Sequence, residues 1–218
     1  MELEELKRLR LVKAKEILSK PVEPLGTEYD VVKDALVGIK SVHLAQRDFR
    51  LPGLERHTEL VCQVVAEFKE KKKRNVLPLQ YAKADDIVVA PIRPEDIGAD
   101  NWNVSSAAAG IIHVIKPDGT PLTVDTENQV FVITDVLIGD PSLITAVQFT
   151  VDGVKQNPIE VRTLQVGRGD NLGIAELDYP VVADASLLMD VKAEGAVTTT
   201  VVPFGVHICL GRKLAALT

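Results

Sequence analysis

Histidine and cysteine are the side chains best able to hold a metal or carry a covalent step, so their spacing comes first. His43, His57, His113 and His207 show no i, i+4 or His-x-His spacing, and no zinc or iron site is expected. Cys62 and Cys209 lie far apart and form no paired metal motif; two buried free thiols are expected. A serine nucleophile lacks its glycine elbow, because no Gly-x-Ser-x-Gly occurs. The loop Gly167-Arg168-Gly169-Asp170 follows a strand pattern but opens no apolar helix, so it offers no phosphate cradle. The carboxylates Asp118, Asp125, Glu127, Asp140, Asp152, Asp170 and Asp178 sit mostly at turns, where their role is turn-forming hydrogen bonding rather than calcium binding. With no catalytic constellation, the chain reads as non-enzymatic, with no cofactor and no metal.

Cys209 needs its own argument. The stretch Pro203-Phe204-Gly205-Val206-His207-Ile208-Cys209-Leu210-Gly211 resembles the haem-cysteine loop F-x-x-G-x-x-x-C-x-G of the haem-thiolate monooxygenases. The resemblance fails in its spacing. That family's Phe precedes its Cys by seven residues, whereas Phe204 precedes Cys209 by five. Val206, Ile208 and Leu210 alternate with His207 and Cys209, which is strand patterning ended by Gly211. Cys209 is expected in a strand, not on iron.

Two clusters are candidates for interaction. Lys71, Lys72, Lys73 and Arg74 form a basic run that could meet an acidic surface, a neighbouring subunit or nucleic acid. Aromatic residues make up only 4% of the chain, so a base-stacking platform is not expected and nucleic acid is not the favoured partner. Arg168, Gly169 and Asp170 spell the tripeptide read by integrin-type receptors, although so short a motif also fits an ordinary strand connection.

The elements that position these residues change character along the chain. Leu3, Leu6, Leu9, Val12 and Ile17 recur at helical spacing until Pro21. A second helix is expected after the N-cap Thr27, with a stripe of Val31, Val32, Ala35, Leu36, Ile39 and Val42. A third follows Pro52-Gly53, carries Leu60, Val61, Val64, Val65 and Phe68, and ends in the basic run, where cations suit the helix dipole. Residues 1–80 thus read as a helical region and 81–110 as an extended, proline-punctuated connection. Over 111–218 the period is two and the reading is a β-sandwich. Along residues 130–138 Val130, Val132, Thr134, Val136 and Ile138 alternate with Phe131, Ile133, Asp135 and Leu137, so both faces are apolar, as in a central strand. Hairpins are expected at Asp152-Gly153, at Pro117-Asp118-Gly119-Thr120 and around Glu194-Gly195.

At 218 residues with 46% hydrophobic and 26% charged side chains, the chain can bury a sizeable core. No apolar run approaches the roughly 20 residues that span a bilayer, and the first residues lack a secretory signal pattern. The net charge of −6 is uneven: residues 1–80 carry sixteen basic and thirteen acidic side chains, whereas 81–218 carry nine and eighteen. The two regions are expected to face different surroundings.

The fold class expected is α+β, mainly β: a helical N-terminal segment followed by an antiparallel, jelly-roll-like sandwich. In outline this resembles the jelly-roll coat and accessory proteins of viral particles, with the strand-rich region from about residue 86 to 214 as the sandwich. The resemblance implies a shell or accessory subunit whose partners are copies of itself and other particle subunits, located in the virion and assembled in the host cytoplasm. The alternatives are a ligand- or receptor-binding sandwich and an enzyme whose site assembles from distant residues.

Overall fold

A computed structural model of the chain describes residues 26–44, 54–161 and 173–211. The helix expected over residues 1–20 lies outside them. Two helices, α1 (Gly26–Leu44) and α2 (Leu54–Lys72), precede the strands. Val32, Ala35 and Leu36 of α1 and Val61, Val65 and Phe68 of α2 are buried at helical spacing. Lys69 of α2 donates to Glu28 of α1, tying the pair together. The second helix ends where Lys73 turns left-handed at φ 53°.

The strands are β1 (Val76–Leu77), β2 (Ile87–Pro91), β3 (Asn103–Ser106), β4 (Gly110–His113), β5 (Leu122–Thr123), β6 (Gln129–Ile138), β7 (Ile144–Val151), β8 (Val154–Lys155), β9 (Ile159–Glu160), β10 (Gly173–Ala183), β11 (Ser186–Ala193) and β12 (Val197–Leu210). The first sheet runs β1-β2-β12-β6-β10, with β3 on β12; the second runs β4-β11-β7-β8, with β5 on β11 and β9 on β7. Apart from the parallel β1–β2 contact, the pairings are antiparallel. Strands two, twelve, six and ten facing four, eleven, seven and eight form the interleaved order of a jelly roll, two Greek keys folded together. The chain is an α+β, mainly β protein with helices at its N-terminal end and an antiparallel sandwich.

The layers follow from the side chains. One core fills the space between the sheets, with Phe131, Ile133, Ile144, Val147, Phe149, Leu187 and Met189 among its members. A second lies between the helices and the first sheet, where Leu36, Val61, Val65 and Phe68 meet Ile87, Val89, Val132, Val206 and Ile208. The first sheet is therefore covered on both faces, which is why β6 and β12 are apolar at successive positions.

Four local expectations are corrected. The stretch 81–110 holds β2, a 3-10 turn at Pro94–Ile97 and β3, and the two strands make it a member of the first sheet. Pro117 to Thr120 does not close a hairpin: β4 and β5 lie end to end along β11, pairing Asp190–Ala193 and Ser186–Leu187 respectively. The turn at Glu194-Gly195 passes from one sheet to the other, because β12 pairs with β2, β3 and β6 rather than β11. The alternation along β6 breaks at Thr134, which is skipped in the register that sets Gly205 opposite Ile133 and Phe204 opposite Asp135. That bulge switches faces, so Phe131, Ile133, Val136 and Ile138 all reach the inter-sheet core while Asp135 turns away from it. The Asp152-Gly153 hairpin forms as expected, with φ 50° and 75° at its two central residues.

Candidate interaction surface

The basic run at the end of α2 divides in two. Lys71 Nζ donates to Thr126 O at 3.0 Å and Lys72 Nζ to Glu127 Oε2 at 2.9 Å, so half of the run is anchored to the loop before β6. The hydrogen bond from Lys72, with the charges of Lys72 and Lys71, holds the Glu127 carboxyl below its ordinary range. Lys73 and Arg74 are exposed. Some of the charge asymmetry is thus neutralised inside the molecule. Arg168, Gly169 and Asp170 lie outside the described residues.

Sequence spacing gave no sign of three histidine–aspartate contacts that the fold assembles. The bulge at Thr134 aims Asp135 at α2, where its Oδ2 lies 3.5 Å from His57 Nδ1 and accepts a hydrogen bond from Thr134 Oγ1 at 2.7 Å. On the opposite face of the first sheet, His207 stacks on Phe131 with ring centroids 4.4 Å apart, and its Nδ1 lies 3.6 Å from Asp96 Oδ1. Burial alone would raise the Asp96 carboxyl, but the His207 ring beside it and the hydrogen bonds from Arg93 outweigh it and hold the group below its usual value. The third contact, His113 Nδ1 to Asp190 Oδ1 at 2.8 Å, is partly exposed on the outer face of the second sheet. Among the described residues, no three His, Cys, Asp or Glu side chains gather as metal ligands. Cys209 is buried in β12 against Val88 and Ala90, as the strand alternation predicts. Burial, then Glu28 and Glu59, pushes the Cys62 thiol up to about 12.

The surface least like the rest of the chain lies between the two sheets. Residues 101–115 contain no Asp, Glu, Lys or Arg, in a chain where 26% of residues are charged. The longer charge-free run, 195–211, is mostly buried strand; in the run 101–115, eight of fifteen residues are exposed, with Ile111 at 63%. The charge-free stretch was readable in the sequence, but its exposure was not. It forms β3, the loop after it and β4, which border a groove of about 380 Å³ lined by Trp102, Val104, Ile112 and His113. Val114 N–H donates to Met189 O at 2.9 Å, and antiparallel alternation from that bond points the backbone groups of Ile111 and His113 away from β11. Among the described residues none bonds to them. The equivalent N–H of Asn103 on β3 is capped by Asn101 Oδ1 at 2.7 Å. So β4 presents an open edge at both of its outward residues. A second hollow, about 490 Å³, lies on the outer face of the second sheet beside Ile111, Gln148, Glu160, Asp190 and Lys192. No helix among the described residues is long and apolar enough to cross a membrane.

No family model and no curated protein matches the chain. Solved structures give weak likenesses. The structure of infectious bursal disease virus Gt strain is 14% identical with a TM-score of 0.31, over 59% of this chain and 33% of that one. The Gx strain gives 12% and 0.29, over 59% and 35%. The insecticidal delta-endotoxin Cry8Ea1 from Bacillus thuringiensis gives 11% and 0.27, over 63% and 25%. This chain spans about a third of the virus chains and a quarter of the toxin chain. The likeness is architectural, and at these scores it carries no argument about activity.

Proposed function

We propose that the chain is a non-enzymatic structural subunit that assembles with copies of itself and with other subunits into a particle, as a viral coat or virion accessory protein put together in the host cytoplasm. The observation that carries this reading is the jelly-roll strand order, an architecture used by virus shells as well as by lectins and cupins; the step from fold to role is one of analogy. The exposed, charge-free segment at the sandwich edge supports it, because interface cores are depleted in charge. Residues 1–80 would serve as a helical region closing the first sheet. Multi-angle light scattering over a wide concentration range, with electron microscopy of the largest species, tests the reading. Defined, concentration-dependent assemblies are expected; a monomer at every concentration overturns it.

A second reading is a ligand- or receptor-binding sandwich. The hollow beside Asp190, Lys192 and Glu160 favours it, since both signs of charge converge there with His113 at hand. Arg168, Gly169 and Asp170 would belong to this reading. Its sign would be a monomer that captures an integrin-type receptor and loses it on Asp170→Ala.

A further inference from the structure

We infer that two copies of this chain join through β4, edge to edge and antiparallel across a twofold axis, so that the second sheet continues from one copy into the other. The inference rests on the self-assembly reading and names its contact. Natural edge strands are usually blunted by Lys, Pro or an inward charge, and Gly110-Ile111-Ile112-His113 has none of these. Its outward backbone groups, at Ile111 and His113, fit an extended chain. The edge also suits a second copy in particular. A twofold contact sets each patch against itself, so a charged patch repels its own image. With a net charge of −6, most of this surface meets that penalty, whereas residues 101–115 do not.

The register follows from the alternation. Ile111 of one copy stands opposite His113 of the other, with the axis at Ile112, so that both outward residues of each strand exchange backbone hydrogen bonds. The Ile111 side chain, 63% exposed in the single chain, then packs on the His113 ring of the second copy on the outer face. Trp102 and the groove beside β3 would lie behind this joint and be closed off by it.

The test uses the full chain in sedimentation velocity, with circular dichroism to check folding. Ile111→Lys should weaken association by about tenfold or more, the scale of burying an unpaired charge. Leu79→Lys, at another exposed apolar residue outside β3 and β4, should leave it unchanged. If the wild type associates and folded Ile111→Lys associates equally well, the β4 joint is wrong while self-assembly stands. If the wild type is monomeric throughout, both fail. Should Ile111→Lys not fold, the double variant Ile111→Cys/His113→Cys decides. Both native cysteines are buried. A covalent dimer on a non-reducing gel, with much less from either single variant, supports the register; no dimer overturns it.

Discussion

At Gly205 a methyl group has no space: a Cβ there would overlap Val132 O and lie 2.7 Å from Ile133 Cα. The crowding lies at the bulge, where Gly205 pairs with Ile133 and Thr134 is skipped. Gly205→Ala is expected to cost about 3 kcal/mol or more, read as a lower urea midpoint. Asp96 gives a pH prediction. Its folded pKa lies below the unfolded value of about 3.9, so its ionised form stabilises the fold above that pH, and the contribution is lost as pH falls through the folded value. Asp96→Asn should therefore lower stability at neutral pH and flatten the fall in stability on acidification below about pH 4, in denaturant titrations at stepped pH. The Cys62 thiol, at about 12, stays protonated at pH 8, so it should resist thiol reagents in the native state and react once the chain is unfolded.

Between elements, what matters is which partner a segment finds, and this is where the sequence was least readable. Pro117-Asp118-Gly119-Thr120 announces a turn in its own chemistry, and Asp118 does accept from the Thr120 N–H at 2.8 Å. Nothing in those residues says that both flanking segments prefer a third strand, β11. Glu194-Gly195 likewise reads as a reversal, but whether it folds within one sheet or arches between two depends on which core its neighbours enter. The extra residue at Thr134 showed only as a polar Thr134-Asp135 pair inside an apolar run. By contrast, α1 and α2, the Asp152-Gly153 hairpin and the burial of Cys209 were legible, because local periodicity and turn chemistry decide them. The helix-to-loop contact yields another test at this scale. Reversing Lys71 and Lys72 to Glu should lower Tm, since they hold Thr126 and Glu127. Reversing Lys73 and Arg74, both exposed, should leave Tm unchanged; equal effects in differential scanning calorimetry would refute the division of the run.

For the molecule as a whole, the class of fold was legible, since apolar strands at short spacing imply a sandwich or barrel. The order of those strands was not, because jelly-roll pairing joins segments far apart, such as Val88 with Cys209 and Val136 with Ala175. The candidate surface was half legible: lack of charge shows in a string of letters, but an open edge shows only when its neighbours are placed. The longest strand also governs how the molecule bears force. Fourteen residues long, β12 extends about 46 Å and is bonded along one side to β6 and along the other to β2 and β3. Pulled between residues 129 and 201, at opposite ends of the β6–β12 ladder, the bonds share the load in shear. Pulled between residues 129 and 209, at the same end, they break singly and in order. The molecule should therefore be mechanically anisotropic: stiff along this strand, and easily opened across it.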